Sequence, residues 1–329
     1  MKNVENHART SKPLVRGSVL RICNLVAAST KSLSMEIRIQ TPRTFSFKRT
    51  AFSHGWTELP PFEIDPQTLT ITRVLDLDGA QPLTVAITGT KRAVNVRLRR
   101  QVGQRTAASI TRDVRHMLRL DDDLTEFYSA MNAHPEFNWI PRSGAGRLIR
   151  STTVFEDLVK TICTTNCSWS LTKKMVQGLV NNLGREAADG RRTFPTPAAM
   201  AAMPASFYRD EVRAGYRASY LKELAERVAS GEIEVEEWLT SDLPTVELKH
   251  EMKRVKGVGD YAAENLLKLV GRYDVLALDS WVRAKFARTH NGGRTISDAK
   301  IARYYSRFNS WRGLALWCDM TKDWIEEKW

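Results

Sequence analysis

Between Met35 and about residue 106, the chain contains several short runs in which hydrophobic side chains alternate with polar ones. A period of two predicts β-strands with one face in a core, and the turn residues Asp65-Pro66 and Gly89-Thr90-Lys91 separate successive runs. The alternating positions are Ile37 and Ile39; Leu69 and Ile71; Leu83, Val85 and Ile87; and Val94, Val96 and Leu98. We therefore expect an antiparallel sheet in this part of the chain.

The hydrophobic period becomes helical from about Ala107 and stays helical to the end. Aspartates at 121–123 offer an N-cap for one helix, the spacing of Thr153 and Glu156 is that of a capping box, and Gly184 ends a third helix. The apolar faces of these helices are Leu124, Phe127, Tyr128 and Met131; Phe155, Leu158, Val159 and Ile162; and Leu171, Met175, Leu179 and Val180. The patterns predict an α+β protein, with an antiparallel β-sheet domain at residues 35–106 followed by an all-α domain at residues 107–329.

Residues 1–34 differ from the rest because they are basic, poor in acidic residues and rich in Ser and Thr. Their apolar stretch is broken by Arg21 and Asn24, whereas a signal peptide needs an uninterrupted apolar centre. We expect a disordered tail, a targeting segment, or sequence translated upstream of a natural start at Met35. These three alternatives stay open.

The chain is strongly basic, with 50 Lys and Arg against 37 Asp and Glu and a net charge of +13. Such a charge favours a polyanionic partner, although charge alone does not identify one. The hydrophobic content of 42% excludes wholesale disorder. The sequence also lacks an apolar run of about 18 residues that could span a bilayer, so we expect a soluble globular protein.

The four cysteines, Cys23, Cys163, Cys167 and Cys318, are scattered, which is typical of a reducing compartment. Cys163 and Cys167 are four residues apart, but no further ligand lies near them in sequence, so we do not expect a metal site there. The sequence has no C-terminal cluster of four closely spaced cysteines, which argues against an iron–sulfur cluster.

The most informative segment is VKGVGDYAAENLLKLVGRYDVLALDSW, from Val255 to Trp281. The turn Gly257-Val258-Gly259 lies between two predicted helices, and its glycines allow a positive φ and the close approach of another molecule. Backbone N–H groups and a helix N-terminus would then converge on an anion. The basic residues beside the turn are Lys253, Arg254 and Lys256. The pattern predicts sequence-independent, salt-sensitive contact with DNA phosphates; the alternative is a plain tight turn between packed helices.

A dinucleotide site would also place glycines against phosphates. It requires a strand before the glycines and a third glycine after them, and neither accompanies Gly257 and Gly259. We therefore set this function aside.

The segment KGVGDYAAENLLKLVGRYDVLALDSWVRAKF resembles the signature of the helix-hairpin-helix DNA glycosylases, with the hairpin at Lys256 to Gly259. RSTTVFEDLVKTICTTNCSW is similar to the segment that supplies the wedge in 8-oxoguanine glycosylases, and FPTPAAMAAM and AGYRASYLKELAERV are similar to the parts that follow it. YYSRFNSWRGLALW is similar to the closing helix of bacterial 3-methyladenine glycosylase II. The resemblance covers roughly Asp113 to Trp324, and the leading sheet fits the family's N-terminal domain by type only.

The resemblance implies that Asp279 is the catalytic residue. Cleavage of an N-glycosidic bond leaves positive charge on the sugar, which a carboxylate can stabilise while it orients or deprotonates the attacking water. The same side chain could cap the helix SWVRAKFARTH, and the two roles are compatible.

Family members that also nick DNA use a lysine just after the hairpin to form a Schiff base with the sugar. The matching residue here is Tyr261, whose neutral phenol cannot do this. We therefore expect base removal by water, without strong lyase activity.

A base inside a duplex is out of reach of the catalytic carboxylate, so such an enzyme extrudes the base and fills the gap. The resemblance implies that Asn166 enters the gap, with Tyr216 and Arg217 near the opposite strand. Ordinary loop and helix surface is the alternative for these three residues.

The family's base pocket is aromatic. Tyr261 and Trp281 match pocket positions, and Trp317 is a further candidate that could instead belong to the core. Electron-rich rings stack well on cationic alkylated purines, and the arginine by which 8-oxoguanine enzymes recognise the opposite cytosine is replaced by Leu171. We expect an alkylated purine as substrate; an 8-oxoguanine-type enzyme is the alternative, since the wedge TTNCS resembles that branch.

Two other classes of function stay open. A helix-hairpin-helix protein that only holds DNA would need neither Asp279 nor an aromatic pocket. An abasic-site lyase or oxidised-pyrimidine enzyme would need the lysine that Tyr261 replaces and often carries the cysteine cluster.

The resemblance also implies a Na⁺ or K⁺ ion bound by the carbonyl oxygens of Lys253, Val255 and Val258, no organic cofactor and no iron–sulfur cluster. The implied partner is double-stranded DNA with a damaged base, and we expect a monomer. The expected location is the cytoplasm, with the nucleoid, in a bacterium, or the nucleus in a eukaryote.

Overall fold

The computed structural model describes residues 34–77, 80–90 and 92–324. Apart from Ser34, the predicted tail of residues 1–34 lies outside the described residues. These described residues belong to one compact unit.

Five strands form one antiparallel sheet within the described residues, in the order β1-β5-β4-β3-β2. They are β1 (Met35–Gln40), β2 (Phe62–Asp65), β3 (Thr70–Leu75), β4 (Leu83–Gly89) and β5 (Ala93–Leu98). Ile39 pairs with Val94 and Ile87 pairs with Val96, and all four are buried, as the alternation predicted. The prediction missed β2 because only Phe62 of its four residues is buried, which is too short a pattern to recognise. The antiparallel sheet and the α+β class are confirmed.

The remaining described chain is mainly helical. The helices are α1 (Phe47–Ala51), α2 (Gln104–Met117), α3 (Thr125–Asn132), α4 (Trp139–Ser143), α5 (Val154–Thr164), α6 (Trp169–Leu183), α7 (Pro197–Ala201), α8 (Ala205–Asp210), α9 (Ala218–Ala229), α10 (Thr245–Lys253), α11 (Asp260–Leu269), α12 (Ser280–His290), α13 (Asp298–Tyr305) and α14 (Arg312–Met320). The strands end at Leu98, close to the predicted change to helix near residue 107. The helix α1 interrupts the segment that was predicted to be all sheet.

Helix α5 begins as predicted, because the Thr153 hydroxyl accepts a hydrogen bond from the Glu156 N–H at 3.2 Å. The predicted single apolar face is too narrow, since residues 154–163 are all buried. The Glu156 carboxylate is paired inside the protein, with Arg73 of β3 at 2.6 Å and with Lys160 at 2.7 Å. Packing against both the sheet and other helices explains why polar residues of α5 are buried.

The N-cap predicted at residues 121–123 is wrong by one residue. Leu124 occupies the cap position of α3, and the Asp123 carboxylate accepts a hydrogen bond from the Thr125 N–H at 2.9 Å. The predicted end of α6 is confirmed, because Gly184 is its C-terminal cap.

The sheet and the first helices share a core, which includes Val85 and Val96 of the sheet, Ile110 of α2 and Leu158 of α5. A second hydrophobic cluster joins α3, α12, α13 and α14. The predicted division into a sheet domain at residues 35–106 and a helical domain at residues 107–329 stays a prediction. In the described part of the chain, no helix combines the length and the apolar content that crossing a membrane would need.

Candidate active site

A tight turn joins α10 to α11, as the sequence predicted. Gly257 has a φ of +90°, and a Cβ there would lie 2.7 Å from a ring carbon of Tyr220, so both the backbone and the space require glycine. Gly259 has a φ of −86°, and a Cβ there would meet no protein atom within 4 Å. The Val258 N–H donates to the Val255 carbonyl at 3.0 Å and closes the turn. The backbone at Gly259 is therefore open to another molecule.

Each basic residue beside the turn has an acidic neighbour. The pairs are Lys253 with Asp260 at 2.9 Å, Arg254 with Glu251 at 3.0 Å and Lys256 with Glu223 at 3.3 Å. The three basic side chains are exposed, and exposed pairs contribute at most about 1 kcal/mol each. A phosphate can therefore compete for these cations.

A cavity of about 1190 Å³ opens beside the turn and collects most of the predicted site residues from distant segments. Those that line it are Asn166, Tyr216, Lys253, Lys256, Gly257, Val258, Gly259, Tyr261, Asp279, Trp281 and Trp317. Arg217 and Arg254 are outside its lining.

Asp279 lies half-buried on the wall of the cavity, at the N-terminus of α12. One carboxylate oxygen accepts a hydrogen bond from the Val282 N–H at 2.6 Å, so the predicted cap is present. The cap orients the carboxylate while the side chain still lines the cavity.

Tyr261 is half-buried in the first turn of α11 and shares a side-chain hydrogen bond with Thr164. Burial, followed by the charge of Asp279, raises the pKa of the Tyr261 phenol above its ordinary value. The phenol therefore stays protonated at neutral pH.

Three tryptophan rings form one wall of the cavity. The ring centroids of Trp281 and Trp324 are 5.3 Å apart, those of Trp317 and Trp324 are 5.7 Å apart, and those of Trp281 and Trp317 are 6.1 Å apart. The Trp317 indole N–H donates to the Ser53 carbonyl at 2.8 Å, which anchors that ring to the segment after α1. Sequence reasoning missed Trp324, although its seven-residue spacing from Trp317 was a signal.

Sequence reasoning also missed Lys268, near the end of α11. Its side chain is 3% exposed, it lines the cavity, and its Nζ lies 4.4 Å from the Trp317 ring centroid. Within the described chain, Nζ has no hydrogen-bond partner. Burial lowers the pKa of Lys268 to about 8, and the charge of Asp279 opposes this shift. The signal in the sequence was a lysine inside the apolar run LLKLV.

The loop after α5 carries Asn166, which is exposed and has a φ of +46°. Arg217 is only 4% exposed, and its guanidinium donates to the carbonyl and the hydroxyl of Thr165, next to Asn166. Tyr216 is 53% exposed, with the Arg217 guanidinium 4.4 Å from its ring centroid. Arg217 thus supports the loop from inside, whereas Asn166 and Tyr216 are available at the surface. Leu171 is half-buried in the first turn of α6.

No protein-family model matches this sequence. A search of curated protein sequences also finds no match. The fold itself has clear counterparts among solved structures.

A 3-methyladenine DNA glycosylase from Archaeoglobus fulgidus superposes with a TM-score of 0.69 at 21% identity, over 88% of this chain and 99% of that one. An 8-oxoguanine glycosylase/lyase from Clostridium acetobutylicum was solved with double-stranded DNA that contains cytosine opposite 8-oxoguanine. It superposes with a TM-score of 0.68 at 18% identity, over 90% of this chain and 99% of that one. A structure of MBOgg1 with a low-affinity DNA ligand superposes with a TM-score of 0.70 at 19% identity, over 89% of this chain and 96% of that one. The chain therefore has the fold of the helix-hairpin-helix DNA glycosylases of the 3-methyladenine and 8-oxoguanine kinds, as the resemblance in its sequence predicted.

Proposed function

We propose that this chain is a monofunctional DNA glycosylase that hydrolyses the N-glycosidic bond of an alkylated purine with Asp279 as its carboxylate. One observation carries the proposal: Asp279 lines the same cavity as three tryptophan rings and the hairpin turn with its open Gly259. A protein that only held DNA would need the turn but neither the carboxylate nor the rings.

Each part of the site has a task in this reaction. The hairpin amides and lysines hold the phosphates, Asn166 fills the gap left by the extruded base, and the tryptophan rings stack on that base. As the bond from the sugar C1′ to the base breaks, Asp279 stabilises the positive charge on the sugar. Water then forms the new C1′–O bond and passes a proton to the carboxylate, which returns it to solvent. An uncharged base takes up a proton from solvent as it departs, whereas a base with a fixed positive charge departs as a neutral molecule without one.

Similar proteins support the partner and the substrate class. The Clostridium and MBOgg1 structures contain DNA, and the enzymes of both kinds are named for damaged purines. By the sequence resemblance, Tyr261 replaces the lyase lysine, and its raised pKa keeps the phenol protonated, which favours hydrolysis over strand nicking. The proposed partner is double-stranded DNA, bound by a monomer. A monovalent cation at the carbonyls of Lys253, Val255 and Val258 stays a prediction, and the Val255 oxygen already accepts one hydrogen bond.

The test compares wild type with Asp279→Asn on duplexes that carry alkylated purines or 8-oxoguanine. Strand breaks are scored with and without hot alkali, and borohydride trapping is run alongside. Asparagine keeps the helix cap but loses the charge, so we expect breaks only after alkali, a loss of at least about 100-fold in the variant and an unchanged melting temperature.

Asp123→Asn is the matched control, because Asp123 also accepts a backbone N–H at the start of a helix. It should keep full activity. An efficiently trapped adduct, or full activity in Asp279→Asn, would contradict the proposed mechanism. Tight DNA binding without release of any base would favour a protein that only binds DNA.

A further inference from the structure

Lys268 is a buried cation in the wall of the candidate base pocket. It projects from α11, two turns after Tyr261, and its Nζ makes no hydrogen bond within the described residues. A buried polar group without a partner is costly, so its presence at a pocket requires an explanation.

The charge of Lys268 persists at neutral pH. Burial lowers its pKa to about 8, so the ammonium form predominates at pH 7. The titratable groups that interact electrostatically with this charge are Asp279, Glu264 and His54. Asp279 and Glu264 favour the ammonium, and His54, whose pKa burial lowers to about 3, is neutral beside it.

The ammonium lies against a ring that would otherwise attract a cationic base. Its Nζ is 4.4 Å from the centroid of Trp317, within the range of a cation–π contact. A lesion with a fixed positive charge that stacks in this pocket would meet a like charge through protein of low dielectric, where water does not screen it. An uncharged base avoids this repulsion, and its carbonyl or ring-nitrogen dipoles can be oriented favourably in the field of the ammonium.

We propose that Lys268 determines the charge specificity of the pocket, so that uncharged lesion bases are preferred over bases with a fixed positive charge, such as N7-alkylated purines. The inference rests on the proposed glycosylase function. It restricts the alkylated purines proposed as substrates to those without a charge. It modifies the expectation that the aromatic pocket selects cationic bases, because the face of Trp317 already has a cation.

The experiment measures single-turnover base release from three duplexes that differ only in one base. N7-methylguanine carries the fixed charge, whereas 8-oxoguanine and 1,N6-ethenoadenine are neutral. Wild type, Lys268→Met and Lys268→Arg are compared over a range of enzyme concentrations, which separates binding from the release rate. Spontaneous loss of N7-methylguanine is measured without enzyme and subtracted.

We expect wild type to release at least one neutral lesion faster than N7-methylguanine. Lys268→Met should raise the ratio of N7-methylguanine release to neutral-lesion release at least about tenfold. Lys268→Arg keeps the charge and should leave the ratio near that of wild type. Methionine removes an unpaired buried charge, so this variant should fold, which a thermal melt checks.

The outcomes separate the two proposals. Faster release of N7-methylguanine by wild type, or the same ratio in Lys268→Met, overturns the role of Lys268 and leaves the glycosylase function intact. Release of none of the three bases counts against the glycosylase function and removes the inference with it. A ratio that shifts equally in Lys268→Arg and Lys268→Met shows that shape rather than charge is responsible, and also overturns the inference.

Discussion

At the scale of single residues, two glycines of one turn have different physical requirements. Gly257 needs its left-handed backbone and lacks space for a Cβ beside Tyr220. Gly259 has an ordinary φ and open space, so neither backbone strain nor a close neighbour inside the protein requires glycine there. An approaching phosphate backbone would supply the missing reason, since it needs close access to the amides of the turn.

This difference gives a paired prediction. Gly257→Ala should destabilise the protein by about 2 kcal/mol or more, because alanine at positive φ is strained and its Cβ meets the Tyr220 ring. Gly259→Ala should cost at most about 1 kcal/mol of stability, because alanine is a poorer N-cap of α11, yet it should weaken DNA binding. Urea unfolding and DNA titration of both variants measure these effects. Unchanged DNA affinity in a folded Gly259→Ala protein would show that DNA does not approach the turn closely.

At the scale of secondary-structure elements, a buried ion cluster connects the sheet to α5. Arg73 of β3 donates two hydrogen bonds to Glu156, at 3.1 Å and 2.6 Å, and Lys160 donates a third at 2.7 Å. Burial alone would raise the pKa of Glu156, but the charges and hydrogen bonds of Arg73 and Lys160 outweigh it and lower the pKa to about 2. The sheet and helices are thus joined by charge as well as by apolar packing.

The lowered pKa of Glu156 determines how the stability of the protein changes with pH. Glu156 has an ordinary pKa of 4.5, so the stability that it contributes as a carboxylate is fully present above pH 4.5. This stability should be lost as the pH falls from 4.5 towards 2. Urea unfolding of wild type and Glu156→Gln across this window measures the effect, and the difference between the two proteins should shrink as the pH falls. A difference that does not depend on pH would contradict the assigned ionisation.

Removing one cation from the cluster should be costly. Arg73→Met leaves Glu156 with only Lys160 for charge compensation. We expect the free energy of unfolding, measured with urea, to fall by about 3 kcal/mol or more. Arg97→Met is the control, because Arg97 is likewise a sheet arginine paired with a glutamate, Glu36, but its side chain is 64% exposed. A loss below about 1 kcal/mol in Arg73→Met would show that the cluster contributes little.

At the scale of the whole molecule, a net charge of +13 would give long-range attraction to the proposed DNA partner. Lys256→Met should weaken binding to duplexes of any sequence and reduce the slope of log K against log salt by about 1. Lys300→Met on α13 is the matched control, since it removes one exposed charge away from the cavity lining. Equal slopes for the two variants would mean that net charge, and not the hairpin, determines the salt dependence.

Local patterns in the sequence determined much of this protein. Alternating apolar residues specified the antiparallel strands, the glycine turn between helical runs specified the hairpin, and Asp279 before the helix SWVRAKFARTH specified a cap. These features depend on neighbours within a few residues, so spacing and residue type are sufficient to predict them.

Tertiary packing determines which side chains share the cavity and what each one contacts there. Contacts between distant segments bury Lys268 against Trp317 and bring the Trp324 ring to the cavity. They also let the Arg217 guanidinium donate hydrogen bonds to Thr165. Sequence spacing carries no measure of such distances, and a lysine or an arginine reads as surface until its packing partners are known. The candidate catalytic carboxylate was therefore predictable from the sequence, whereas the charge of the pocket around it was not.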